Sequence, residues 1–137
     1  MAELGLLGPT GAFKANLLDL RQRRQEIITS NVANADTPGY KARRFEFEDA
    51  LKESLPPRDS LPMARTSSRH MPTGFVAPVT GELQEVETSI PKGDGNSVDM
   101  EQEMAQQSAN QLLYNYAAQS LSGQIGTMRM LINGNTQ

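Results

Sequence analysis

Asn31-Val32-Ala33-Asn34-Ala35-Asp36-Thr37-Pro38-Gly39-Tyr40-Lys41 decides how this chain is read, because it ends one long helix and turns the backbone sharply. Pro38 disfavours a helical conformation at Thr37. Pro38-Gly39 suits the centre of a type II turn, Pro fixing a negative φ and Gly supplying a positive one. Asn34 is expected in the left-handed conformation that commonly closes a helix. Upstream, a proline-free helix is predicted from near Thr10, whose hydroxyl caps it, to about Ala33. Phe13, Leu17, Leu20, Ile27 and Ile28 recur at helical spacing and make one apolar stripe. Arg24 and Asn31 interrupt it one and two heptads after Leu17, and polar groups at such positions fix register at a cost in stability. Arg24, Asn31, Gln107 and Gln111 are expected to hydrogen-bond to a neighbouring chain, as the amides of Asn31 and Asn34 in the turn can also do.

Beyond the turn, Phe45 and Phe47 alternate, and a short helix is predicted between Glu46 and Leu55 before Pro56-Pro57 stops it. Residues 56–95 hold six of the eight prolines. Within them Phe75–Val79 and Leu83–Ile90 flank Thr80-Gly81 and predict a small β-hairpin. The last helix is predicted to start between Asn96 and Asp99, with Asp99, Glu101 and Glu103 complementing its positive end. Met100, Met104, Gln107, Gln111, Tyr114, Ala118, Leu121, Ile125, Met128 and Ile132 then step by four and three, the spacing of a coiled-coil seam. The expected fold is mainly α. Its long N- and C-terminal helices pair as an antiparallel coiled coil, with an irregular Pro-rich middle that holds the hairpin. By sequence the chain divides into residues 1–55, 56–95 and 96–137, the two ends forming one helical domain.

Composition narrows the function. With 137 residues, 37% apolar content, no Trp and a mean hydropathy of -0.50, the chain has material for one thin core. A net charge of -3 and a pI of about 5.1 argue against a nucleic-acid partner, which demands surplus Lys and Arg. Zero cysteines exclude disulfides and thiol chemistry. His70, the one histidine, lies between Arg69 and Met71 in the Pro-rich middle, without a framework for a metal or a catalytic dyad. Paired acids such as Glu46 and Glu48 read as solvated charge, and no phosphate-binding loop follows a strand. The chain is expected to be no enzyme and to need no cofactor or metal. No apolar run is long enough to embed in lipid, and Glu3 stands where a cleaved signal needs basic residues, so the cleaved-signal route is not expected and any export would need a different exporter.

Asn31-Val32-Ala33-Asn34 with Thr37-Pro38-Gly39-Tyr40-Lys41, about thirty residues from the start, closely resembles the signature of bacterial flagellar basal-body rod proteins. Asp94-Gly95-Asn96-Ser97-Val98-Asp99-Met100-Glu101, followed by a long Gln-, Ala- and Met-rich helix, is similar to the proximal-rod type. The resemblance implies a subunit of the periplasmic drive shaft that polymerises helically through paired terminal helices. It implies contacts with copies of itself, other flagellar rod proteins, the rod and MS-ring junction protein and the flagellar export gate. It also implies export through the flagellar type III apparatus without a cleaved signal. The motif residues Asn31, Asn34, Thr37, Pro38, Gly39, Tyr40, Val98 and Asp99, with Tyr114, Leu121, Ile125 and Met128, are the expected subunit interface. Phe13 and Leu17 are the expected export-recognition element. The rival reading is a soluble coiled-coil adaptor that binds a partner's helix without polymerising.

Overall fold

The computed structural model describes residues 8–55, 79–86 and 93–134. Its elements follow in the order α1 (Gly8–Ala33), β1 (Arg43–Glu46), α2 (Glu48–Ser54), β2 (Glu82–Glu85) and α3 (Met100–Gly134). The fold is mainly helical, and α1 and α3 pack side by side. Lys14 Nζ donates to Ser120 O at 3.3 Å and to Gln124 Oε1 at 3.1 Å, while Asn31 Nδ2 reaches Glu103 Oε1 at 3.1 Å. The start of one helix therefore lies beside the far part of the other, the antiparallel pairing expected. Asp99 caps α3, its Oδ1 accepting from the amides of Glu101 at 3.0 Å and Gln102 at 3.3 Å.

The turn after α1 has the expected type. Gly39 has φ +72 and Tyr40 N donates to Thr37 O at 3.2 Å, closing a type II turn over Pro38-Gly39. Asn34 departs from expectation, since no described residue other than glycine has a positive φ. Its side chain ends the helix instead: Nδ2 donates to Ser30 O at 2.8 Å, and Oδ1 accepts from Thr37 Oγ1 at 3.3 Å.

The strands also differ. β2 pairs antiparallel with β1, in register Arg43↔Glu85 to Glu46↔Glu82. Of the expected partner Phe75–Val79, only Val79 is among the described residues. Its N–H donates to Asn16 Oδ1 at 3.0 Å and its carbonyl accepts from Asn16 Nδ2 at 3.3 Å, so α1 already occupies the groups a hairpin ladder would need. The rest of the expected hairpin, Phe75–Pro78 and residues 87–90, lies outside the described residues, as does His70.

Two small cores result. Leu20, Phe45, Phe47 and Val79 form one, with Leu17, Ile27 and Leu51 packed against it. Ala35, Ala42 and Val98 form the other, against Tyr40 and Val86. Helix α1 is covered by α3 on one side and by the strands on another, so its buried residues exceed a single stripe. Gly81 lies on the Phe45 ring: a Cβ there would stand 2.3 Å from Cζ. Gly81→Ala should displace this buried ring and lower stability by about 1–3 kcal/mol in denaturant titrations.

Candidate functional site

Asn31, 1% exposed, is the centre of the motif. Its Nδ2 donates to Arg43 O at 2.7 Å, and its Oδ1 accepts from Arg43 N at 3.0 Å and from Tyr40 Oη at 3.4 Å. A side-chain amide thus does for β1 what another strand would do, satisfying both polar groups of a residue that faces away from β2. Arg24, seven residues earlier on the same face of α1, continues the device. Its Nε and Nη2 donate to Phe45 O at 2.9 and 2.7 Å, and its guanidinium pairs with Glu48. The two polar breaks in the apolar stripe are where the helix meets a strand edge. The expectation that Arg24 and Asn31 bond to a neighbouring chain is corrected: their donors are engaged within this one.

The two motif strings meet in space. Asn96, 0% exposed, donates through Nδ2 to the carbonyls of Asn34 at 3.0 Å, Ala35 at 2.9 Å and Thr37 at 2.8 Å. These lie just past the end of α1, and those of Asn34 and Thr37 also accept from the amides of Thr37 and Tyr40. Asn96 Oδ1 accepts from Val98 N at 2.7 Å, which aims the chain into α3. Ser97 N donates to Tyr40 O at 3.0 Å, Ser97 Oγ accepts from Ala42 N at 2.7 Å, and Gly39 N donates to Asp94 O at 2.9 Å. Val98 is buried against Ala35 and Ala42. Sequence reasoning took Asn96 as a possible start of the last helix and as part of the second motif string, without a bonding role. The signal for it was an Asn two residues before Val98, the spacing of an Asx turn.

Electrostatics are tight around Phe47. Arg24 and Arg21 stand 4.4 and 5.2 Å from its ring centroid. Burial alone would raise the Glu48 carboxyl, but hydrogen bonds from Arg24 and the Phe47 amide, with the charge of Arg24, hold it below the ordinary carboxylate value. Burial, then the neighbouring Arg24, lowers Arg21. Glu103 is raised, chiefly by burial and further by Asp99, against the Asn31 hydrogen bond and Arg44; its Oε2 is buried without a partner. A cavity of about 340 Å³ opens between α1, β1 and α3.

The expected ladder of α3 does not face α1. Glu103, Asn110 and Ala117 are the buried positions, one residue before Met104, Gln111 and Ala118 and so about 100° around the helix. Asn110 Nδ2 donates to Arg21 O at 3.0 Å and to Gln25 Oε1 at 3.2 Å, giving the helix pair a polar middle. Of the ladder, Leu121 and Met128 are half-buried, whereas Met104, Tyr114, Ile125 and Ile132 are exposed. Phe13 and Leu17 are half-buried on α1. The heptad Glu103, Asn110, Ala117 was present in the sequence, but its polar members hid it behind the apolar ladder beside it.

The model of a family described as flagella basal body rod protein matches residues 18–41, the second half of α1 with the turn. Similarity to curated proteins extends much further. The chain is 42% identical over 128 residues to the flagellar basal body rod protein FlgB of Escherichia coli (strain K12), covering 90% of this chain and 93% of that protein. It is 39% identical over 127 residues to that of Yersinia enterocolitica, covering 89% and 93%. It is 38% identical over 128 residues to that of Salmonella typhimurium, covering 90% and 93%. The chain belongs to the FlgB family of flagellar basal body rod proteins.

Asn31→Ala should cost about 2–5 kcal/mol, because it strands both polar groups of Arg43 and the Glu103 carboxyl in a buried place. Equilibrium denaturation reads the loss. Since the Glu103 carboxyl is raised above the ordinary carboxylate range, the folded chain holds that proton more tightly than the unfolded one. Stability therefore falls as pH climbs from the ordinary carboxylate range through the raised value. Glu103→Gln should flatten that decline, measured as the midpoint of denaturation against pH.

Proposed function

We propose that this chain is a structural subunit of the proximal rod of the flagellar basal body. It polymerises helically through its paired terminal helices into part of the drive shaft and of the export channel within it. The observation that carries the reading is the surface of α3. Residues 104–134 carry one charged side chain, Arg129. Of the twelve exposed large apolar side chains among the described residues, ten stand on α3. Leu112 at 71% and Tyr116 at 74% exposure share one face of the helix and Ile132 at 72% stands on the opposite one, while α1 covers only one side. A helix apolar on most sides is stable when surrounded, and neighbouring subunits in a tube surround it. Tyr114, Leu121, Ile125 and Met128 belong to this contact surface. The motif residues from Asn31 to Asp99 build the rigid end that presents it.

The partners that follow are copies of this chain, other flagellar rod proteins, the rod and MS-ring junction protein and, during export, the flagellar export gate. Delivery to the periplasmic rod proceeds without a cleaved signal. Phe13 and Leu17 are half-buried on α1 once the chain folds, so the gate reads them beforehand. Secretion of a Phe13→Ala, Leu17→Ala variant at the wild-type level would remove that role.

An adaptor that binds one partner helix also accounts for a bare face on α3, and assembly separates the readings. Leu112→Ser with Tyr116→Ser alters side chains that stand largely in solvent. It should leave the helix content and stability of the dilute chain within about 0.5 kcal/mol of the parent. The same variant should abolish ordered tubes in electron micrographs and motility in a complemented null strain. Intact rods and swimming would favour the adaptor.

A further inference from the structure

The two edges of the small sheet are treated differently. A bond from Val86 N to Ala42 O at 2.8 Å extends the register of β1 and β2 by one pair and fixes which residues bond across it. Hydrogen-bonded pairs alternate along an antiparallel ladder. Glu82, Gln84 and Val86 therefore turn their backbone groups to β1, and Leu83 and Glu85 turn theirs outward. On β1 the outward residues are Arg43 and Phe45, whose groups are taken by Asn31 and Arg24 from α1. No such closure meets β2. Among the described residues nothing bonds to the outward amides and carbonyls of Leu83 and Glu85, and all four residues of β2 are exposed, Leu83 at 52%. Backbone left in this state is a template for a further strand.

Charge and pattern select what fits. Glu82 and Glu85 are exposed carboxylates with no cation within ion-pair distance among the described residues, although Arg43 and Arg44 stand across the ladder. A second copy offers no suitable strand among its described residues. Its β1 is bonded on both sides, and its β2 would bring the same two glutamates to the same short edge. Like charges across a ladder are unfavourable and opposite ones favourable. The partner that β2 already accepts shows the pattern, since Arg43 stands opposite Glu85 and Phe45 opposite Leu83. We propose that the outer edge of β2 binds an extended segment of a different protein, antiparallel, with Lys or Arg opposite Glu85 and Glu82 and an apolar side chain opposite Leu83. Main-chain bonds to Leu83 and Glu85 supply the affinity, and the alternating side chains supply the choice of partner. The contact goes beyond the assembly reading: it uses none of the α3 surface and stands whether or not copies polymerise.

The probe is the peptide acetyl-Thr-Ile-Lys-Thr-Val-Lys-Ile-Thr-amide, titrated into the ¹⁵N-labelled full chain dilute enough to be monomeric. The amide resonances of Leu83 and Glu85 should move and saturate. Glutamate in place of both lysines should weaken binding about fivefold or more. N-methylation at the first Lys and the Val removes the two N–H groups that face the edge and should weaken binding about tenfold or more. N-methylation at the Thr between them, whose N–H faces away, should cost far less. On the protein, Leu83→Pro removes an outward donor at a place where an edge strand tolerates proline. It should keep slow hydrogen exchange at the Val86 amide and abolish binding. Where that variant disturbs the sheet, the two N-methylated peptides decide alone. Unmoved Leu83 and Glu85 amides, or equal binding of the two N-methylated peptides, overturns the proposal. Shifts of the same two amides on raising the protein concentration without peptide would make a second copy the occupant, and overturn it as well.

Discussion

Just past the end of α1 the carbonyls of Asn34, Ala35 and Thr37 converge on the Nδ2 of Asn96, whose two N–H groups are shared among all three. Most of the architecture follows from that constraint. With Asn96 held against Asn34, Ala35 and Thr37, Val98 is drawn into the pocket between Ala35 and Ala42. Asp99 follows as the cap of α3, and α3 has no course open except back along α1. The antiparallel pairing of two long helices is thus fixed at one end by a side-chain amide. Along their length they share a modest interface, whose middle is Asn110 and Arg21 in place of aliphatic side chains.

The second organising device is the treatment of a strand edge. A two-stranded sheet is marginal alone in water, and an unpaired edge invites other chains. Here Asn31 and Arg24 close the outer side of β1 from the helix, bonding Arg43 and Phe45. Buried amides and guanidinia hold the shape, and the apolar side chains that would ordinarily do so stand outside on α3.

The sequence conveyed the helices, their antiparallel partnership and the type II turn, because periodicity, proline and glycine act locally. It also marked Asn31 and Arg24 as anomalies on an apolar stripe. Their purpose was hidden, since whether a polar group on a helix bonds to its own strand or to another molecule depends on what packs there. The pairing of β2 with β1 was not anticipated for the same reason, and nothing between residues 79 and 86 announces that Asn16 will take the backbone of Val79. For α3, the stronger apolar ladder drew attention from Glu103, Asn110 and Ala117. Two seams coexist on that helix, and the one satisfied inside the chain is the more polar.

The clasp at Asn96 joins residues 59 to 62 positions away in sequence. Contacts of that span form only after a long loop closes. A chain released gradually from one end, or drawn out along a narrow passage, holds the halves of its clasp apart for as long as it is confined. Helical turns flicker within each half, but the register between α1 and α3 has nothing to fix it until both strings arrive in the same open space. The place where this chain first becomes a shaped object is therefore set by where both halves are free together.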